Sequence, residues 1–317
     1  MQPLVSIVTP CYNGEEYLER FFNSILAQTY PNIELVFIND GSTDRTEDIV
    51  NSYSVRFQKK GIRFIYRTQE NAGQAAALNN GLKLFSGEYM NWMDSDDVIS
   101  PEFIEKRVEF LSSNPECAFC YGKTVFASEK DTGTIIKTIG KRDSTRRHGF
   151  FEDVLYVRNV FFPGYMVRTV CFDCVIPNRE IYAGFGGQNA QLLLPLAWYY
   201  GEPGYVEDSI YTYYVREDSH SHSLNSSEKI IQQLERYERI LIETMERIPD
   251  PDINKYITDV RRYYARHRFG NAVDTMNPEL IRRYYRQLRQ LRITRLHDTA
   301  LYMKYTIKTC FKKTKKE

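Results

Sequence analysis

Long apolar runs are missing from this chain. No stretch approaches the roughly 18 consecutive apolar residues that a membrane-spanning helix requires. No basic leader followed by a long apolar segment precedes the first strand-like run, which starts at Leu4, so no secretory signal is expected. Together these absences predict a cytoplasmic protein, with peripheral attachment to the inner face of a membrane as the further option. No internal repeat is visible, and low complexity is confined to the Lys-rich end, Lys312–Lys316. Cysteine is sparse, at six residues. Cys117/Cys120 and Cys171/Cys174 form two C-x-x-C pairs, but they stand about 50 residues apart, wider than structural zinc pairs usually sit. Both pairs fall in apolar, strand-like runs without turn residues, which predicts buried reduced thiols.

What is present is ordinary in bulk and uneven in placement. The 317 residues are 42% hydrophobic and 26% charged, enough for one large α/β domain with an extension. Aromatics reach 14%, with 24 Tyr, side chains whose apolar body and polar tip suit sugars and membrane interfaces. The net charge is +1, yet residues 261–317 hold 16 Lys/Arg against 4 Asp/Glu. That segment therefore carries +12 and the first 260 residues −11. A basic end on an acidic body suggests an anionic partner for that end.

The first hundred residues alternate in period. Residues 4–9 read as a buried strand stopped by Pro10, and Leu18, Phe22, Ile25 and Leu26 recur at helical spacing. Glu34–Asn39 is a second strand, running into Asp40-Gly-Ser-Thr-Asp44, and a helix is predicted over Thr46–Gln58. Strand Ile62–Tyr66, turn Asn71–Gly73, helix Ala75–Phe85 and strand Glu88–Met93 follow. Such alternation predicts right-handed crossovers and a mostly parallel, doubly wound, Rossmann-like α/β sheet, whose ligands bind beyond the carboxyl ends of the strands. Further on, strand-like runs are read at 117–126 and 165–176, a Gly-rich turn at 184–187, a helix at Leu192–Tyr200 and a strand at Ser209–Val215. From Ser227 the chain is helical, rich in Arg and Tyr, and broken at Pro249-Asp-Pro251 and Asn277-Pro278. The predicted division is 1–224 for the α/β domain and 225–317 for a basic, helical C-terminal extension.

The strongest chemical signal is Asp94-Ser-Asp96-Asp97 at a strand end. Clustered carboxylates raise one another's pKa unless a cation compensates, and a hard divalent ion with oxygen ligands does so while leaving room for phosphates. The plainer alternative is a solvated turn capping the helix that starts near Pro101. Asp40 could accept hydrogen bonds from a nucleobase or ribose; the alternative here is a helix cap by Ser42 or Thr43, with Asp44 in the first turn. Asn71-Ala72-Gly73 precedes a helix, where backbone N–H groups could face a phosphate.

Taken together, Val5-Ser-Ile-Val-Thr-Pro-Cys-Tyr-Asn13, Ile38-Asn-Asp-Gly-Ser-Thr-Asp44, and Asn71-Ala-Gly-Gln-Ala-Ala-Ala-Leu-Asn79 leading to Asp94-Ser-Asp-Asp97 resemble the family 2 glycosyltransferases, which have the GT-A fold. The match runs over about residues 3–100, and more loosely to about 223. The resemblance implies an inverting, metal-dependent transfer of a hexose or N-acetylhexosamine from a nucleoside-diphosphate donor, with UDP expected. The acceptor would be a glycan or lipid-linked molecule in surface polysaccharide synthesis. It assigns donor binding to Pro10, Tyr12, Asp40, Asn71, Gly73, Asp94, Asp96 and Arg216. Mn²⁺ or Mg²⁺ would sit on Asp96 and Asp97, with His220 as a further candidate ligand.

The chain departs from the family at the expected base. Where members carry Glu-Asp at the start of the helix after the Gly-rich turn, this sequence has Gln188-Asn189, and an amide cannot take a proton at neutral pH. Asp173, Glu180 and Asp218 are the nearest carboxylates in sequence, while Glu207-Asp208 is out of register. The expectation is that Gln188 and Asn189 orient the acceptor. Arg216 falls where relatives place a basic residue near the diphosphate, and Gln74 where they often have Lys or Arg. Two readings follow: an active transferase, or a catalytically impaired subunit that binds nucleotide sugar. The basic segment 261–317 has two open readings, docking on an anionic membrane surface or a solvated helical bundle covering the sheet, while nucleic acid is not expected, since no nucleic-acid module is recognisable.

Overall fold

The structure, a computed structural model, describes residues 2–143, 149–158, 160, 164–184, 187–215 and 226–313, with only the helix backbone given beyond 306. The chain forms two compact units, residues 1–216 and 217–317.

The first unit opens with β1 (Val5–Cys11), α1 (Leu18–Leu26), β2 (Ile33–Asn39), α2 (Thr46–Lys60), β3 (Arg63–Thr68), α3 (Gln74–Leu82) and β4 (Tyr89–Trp92). It continues through β5 (Val98–Ile99), α4 (Phe103–Ser113), β6 (Phe119–Ser128), β7 (Ile135–Ile139), α5 (Phe150–Tyr156), β8 (Met166–Arg168), α6 (Thr169–Val175), α7 (Gln188–Tyr200) and β9 (Gly204–Val215). The strands form one sheet in the order β3-β2-β1-β4-β8-β6-β9-β5, with β7 also on β6. The first four are parallel neighbours, and β6 and β9 pair parallel; β8, β5 and β7 run antiparallel to their partners.

β1 and β2 are buried at every position, so they are mostly apolar on both faces rather than alternating, with Ser6, Thr9, Glu34 and Asn39 as buried polar residues. Their two faces are covered by different helices. Ile7, Leu35 and Phe37 pack in one core with Phe21 and Phe22 of α1 and Phe57 of α2. On the other face α3 lies so close that a Cβ on Gly81 would stand 2.6 Å from Val8 and 3.3 Å from Ile38. The doubly wound arrangement predicted from sequence is thus found. One polar residue in β2, Glu34, is tolerated because Ser6, Ser86 and Arg63 all donate to its carboxylate.

Three local expectations are corrected. The first strand does not stop at Pro10 but runs to Cys11. Val8 bonds towards β4, accepting from the Met93 amide, so Pro10 faces the same side. β4 ends at Trp92, opposite Val8, and the missing N–H of Pro10 costs no ladder bond. Second, the run predicted as strand over 165–176 is strand only to Arg168 and then the helix α6. Cys174 is therefore exposed and Cys171 half-buried, and Cys117 at the start of the other pair is half-buried too; Cys120, the one member of the pairs buried as expected, and Cys11 in β1 lie in the interior. Burial pushes both of these thiols up to about 12, which keeps them protonated. Third, the last strand starts at Gly204 rather than Ser209, so Glu207 and Asp208 lie inside β9, where its register on β6 shifts beyond Gly122.

The second unit is helical: α8 (Ser227–Met245), α9 (Ile253–Asp274), α10 (Pro278–Gln290) and α11 (Leu296–Lys313). The breaks fall at the predicted prolines. Ser226 caps α8, and the Asn277 side chain accepts from the Glu279 and Leu280 amides with Pro278 at the first position of α10. Ile231, Phe269, Ile281, Tyr284 and Leu288 form its core. Among the described residues, no helix is long and apolar enough to cross a membrane.

Candidate active site

The strand order places a topological switch between β1 and β4: the chain leaves β1 towards β2 and β3, then returns on the other side of β1 as β4. Crevices at such points, beyond the strands' carboxyl ends, are where open α/β sheets bind ligands. Register sets what meets there. Trp92 pairs with Val8, so Asp94 emerges near the level of Pro10. Cys11 pairs with Asn39, so Tyr12 and Asp40 emerge side by side. Tyr12 is 52% exposed, and Pro10, two residues before it, is buried.

The loops after β1 and β2 are laced together. The Asn13 amide donates to the Ser42 hydroxyl at 2.9 Å, and the Thr43 amide donates back to Asn13 Oδ1 at 2.9 Å. The Glu15 amide donates to Asp44 Oδ2 and the Arg45 amide to Glu15 Oε2, each at 2.9 Å. The Gly14 amide donates to Thr46 Oγ1 at 2.8 Å. Ser42 and Thr43 are thus engaged across the loops, and neither caps α2, contrary to the capping alternative. Asp44 Oδ1 accepts from the Thr46 amide instead.

Burial raises the Asp44 pKa, but hydrogen bonds from the Thr46 hydroxyl and from the Glu15 and Thr46 amides outweigh it and hold the group below 3.8. A depressed folded-state pKa stabilises above the unfolded value and is lost as pH falls through the folded one. Asp44→Asn is therefore expected to melt below the parent at neutral pH. That gap should close as pH drops below about 4. Thermal melts across this range check it, and a gap that stays constant or widens in acid would refute the assignment.

Asp40 is placed otherwise than a ligand-facing carboxylate. It is 2% exposed. Its Oδ1 accepts from Gln69 Nε2 at 2.7 Å and the Ala72 amide at 2.9 Å, and its Oδ2 accepts from the Gly73 amide at 2.9 Å. The backbone donors that the sequence offered to a phosphate at 71–73 are thus turned onto Asp40. Asn71 and Gly73 themselves are exposed. Gly41 makes the close approach possible: its φ is +72°, and a Cβ there would stand 2.7 Å from the Asn71 nitrogen.

At the end of β4, Asp94, Ser95 and Asp96 are half-buried and Asp97 is wholly buried. Gln74 Nε2, from the first turn of α3, donates to Asp94 Oδ1 at 2.7 Å. The Asp97 carboxylate faces the sheet, accepting from the Tyr211 hydroxyl at 2.7 Å and the Tyr214 amide at 3.2 Å. Burial, followed by the charges of Asp96 and Asp94, drives its pKa well above the usual carboxylate range, so the neutral acid is favoured. The expected set of three carboxylates is not assembled: among the described residues, no three His, Cys, Asp or Glu side chains come together as a metal site. The correction has a physical reason, since a fully buried carboxyl with its oxygens on Tyr211 and Tyr214 anchors the turn to β9. Arg20, which no sequence motif pointed to, holds the turn from the other side through the Asp96 carbonyl.

Gln188 and Asn189 begin α7 and are half-buried. Asn189 Oδ1 accepts from the Trp92 indole N–H, which ties the expected base position to the strand that delivers Asp94. The loop before α7 is held by two amides: Asn79 bonds both backbone groups of Ile181, and Gln191 both of Tyr182. The alternative carboxylates lie elsewhere. Asp173 is in a two-pronged pair with Arg179, which also donates to Phe85 O beyond the C-terminal end of α3. Glu180 pairs with Lys83 at that same end, away from the Gln74 end that meets Asp94. Glu207 and Asp208 face Lys123 and Lys106 in exposed pairs. Arg216, Asp218 and His220 lie outside the described residues.

Comparison with known proteins agrees with this geometry. The model of the family described as "Glycosyl transferase family 2" matches residues 6–184. The chain is 38% identical over 120 residues to the putative teichuronic acid biosynthesis glycosyltransferase TuaG of Bacillus subtilis, covering 38% of this chain and 46% of that one. It spans from about a seventh to about half of the length of the curated relatives it matches. A solved structure of S. aureus TarS (residues 1–349) in complex with UDP superposes with a TM-score of 0.57 at 17% identity, over 96% of this chain and 90% of that one. The mannosyltransferase PcManGT from Pyrobaculum calidifontis, in complex with GDP-Man and Mn²⁺, gives 0.55 at 16% identity over 97% and 84%. At these identities the likeness is one of fold.

Proposed function

The chain belongs to glycosyl transferase family 2, and from that premise we propose that it moves a hexose or N-acetylhexosamine from a UDP-linked donor to a glycan or lipid-linked acceptor, with inversion. The observation that carries the reading is the pair of half-buried carboxylates, Asp94 and Asp96, at the switch-point rim beside the exposed ring of Tyr12. Tyr12 would stack on the donor's base. Asp40 acts beneath it by holding the 71–73 turn that borders the donor site. UDP bound to TarS and GDP-Man bound to PcManGT support a nucleotide-sugar donor. The name of the Bacillus relative supports a role in surface polysaccharide synthesis.

A divalent ion fits the donor set, because Mg²⁺-like ions bind through one or two carboxylates plus substrate phosphates and keep several waters. Asp94 and Asp96 would hold it, and Mn²⁺ in the PcManGT complex supports this choice. When bound, the ion neutralises the charge that develops on the departing diphosphate. Asn189 accepts the Trp92 N–H with its carbonyl, which leaves its NH₂ to donate to an acceptor hydroxyl. With an amide at the base position, proton removal from the acceptor falls to water on the attacking face. Base assistance is worth roughly 10²–10⁴-fold, so a slow enzyme is expected. Residues 261–317, whose exposed positions include Arg286 and Arg289, would rest on an anionic membrane where lipid-linked acceptors reside.

The amides at 188 and 189 also favour a second reading, a nucleotide-sugar-binding subunit without turnover. A panel of nucleotide sugars, each with and without Mn²⁺, separates the two. A UDP-sugar at about 100 times its Kd adds ~2.7 kcal/mol, a rise of roughly 5 °C or more in melting temperature for a unit of this size. Radiolabelled sugar reaching acceptor then selects the transferase, and binding without transfer selects the subunit. No shift with any nucleotide sugar would defeat both.

A further inference from the structure

Arg20 lies in the first turn of α1, outside every stretch that carries the family resemblance. Its guanidinium is shared between two partners. Nε and one terminal nitrogen donate to the carbonyl oxygen of Asp96, at 3.1 and 2.6 Å. The two terminal nitrogens also form a fork on Glu129, just past β6, at 2.5 and 2.8 Å. The Tyr214 ring lies under the same guanidinium, 3.9 Å from its carbon, with Tyr17 at 5.1 Å. The group is thus held against two aromatic rings and along its edge, and Arg20 and Glu129 are each less than a quarter exposed.

From this geometry we infer that Arg20 is the positioning residue of the cation-binding turn: by holding the Asp96 carbonyl it sets the direction in which the Asp96 carboxylate leaves the backbone. The inference rests on the reading that Asp94 and Asp96 hold a divalent ion. A lone guanidinium beside such a site would repel the cation. Glu129 cancels that charge, so the turn receives two strong donors without a net positive neighbour. Lysine could not substitute, because a single ammonium lacks the planar fork that serves a carbonyl and a carboxylate at once.

The test is a Mn²⁺ titration of UDP binding, followed by calorimetry, on the full chain and two variants. Loss of a supporting contact behind a metal ligand typically costs 10–100-fold in metal affinity, so Arg20→Lys should raise the Mn²⁺ midpoint about tenfold or more. Glu129→Gln leaves the carbonyl contacts in place and should raise it less than about threefold. A purely electrostatic role predicts the reverse order, since Arg20→Lys keeps the charge and Glu129→Gln unbalances it. A purely structural role predicts lower melting temperatures with unchanged midpoints. Either result overturns the proposal. Should Arg20→Lys fail to fold, Arg20→Gln, with one amide donor and no charge, is titrated in its place with the same tenfold expectation. If UDP binding by the parent chain is indifferent to Mn²⁺, the metal reading itself falls, an outcome distinct from normal dependence in the parent and no change in the variant.

Discussion

Asp96→Asn is expected to lower sugar transfer by about 10²–10³-fold, the usual cost of removing one preorganised charge-stabilising group. The amide preserves shape but removes the negative charge that the ion and diphosphate require. The side chain is half-buried, and its backbone carbonyl stays held by Arg20, so the melting temperature should stay within about 2 °C of the parent. Asp97→Asn serves as the contrast. An amide there can accept from the Tyr214 N–H and donate to the Tyr211 oxygen, replacing a carboxyl whose neutral form is already favoured. Transfer of labelled sugar should fall far less for Asp97→Asn than for Asp96→Asn. Equal losses would show that all three carboxylates act on the ion, and activity within tenfold for Asp96→Asn would remove it from the site.

The largest effect on stability is expected from Asp40→Ala. It strands the Ala72 and Gly73 amides, which now donate to a carboxylate that is 2% exposed. Each hydrogen bond to a charged group is worth about 1.5–3 kcal/mol net, and residues 72 and 73 are exposed enough for water to replace part of it, so the loss should reach ~3 kcal/mol. For a unit of this size that lowers the melting temperature by roughly 6–12 °C. Asp40→Asn should cost about half as much, since its oxygen still serves one side while its NH₂ opposes a donor on the other. Urea and thermal melts measure both. Nucleotide affinity that collapses while stability is unchanged would instead make Asp40 a direct ligand contact.

The sequence was readable where one local cause decided the structure. The strands up to β4 are short runs bounded by turn residues, mostly apolar in β1, β2 and β4, and their alternation with helices leaves one reasonable sheet. The place of Asp94 and Asp96 beyond a strand's carboxyl end was legible because they follow such a strand directly. Legibility failed where the deciding partner is distant. Nothing near Arg20 signals that it will hold a carbonyl 76 residues on. Nothing near Asp97 announces the Tyr211 hydroxyl, 114 residues away. The run around Cys171 failed for another reason: a short apolar segment has too few turns to show its period, and α6 needs only Phe172 to face inward. The amides of Ala72 and Gly73 were read as open to a phosphate because a sequence does not show that Asp40 folds back to occupy them.

The lacing between the loops after β1 and β2 bears on how such motifs should be understood. Asn13, Glu15, Ser42, Thr43, Asp44 and Thr46 face one another, as Asp40 faces the turn at 71–73. Most of the signature is therefore scaffolding, and selection for a well-formed rim alone would preserve it. A descendant that had given up turnover, and kept only the need to fold, would still display nearly every letter by which its ancestry is detected.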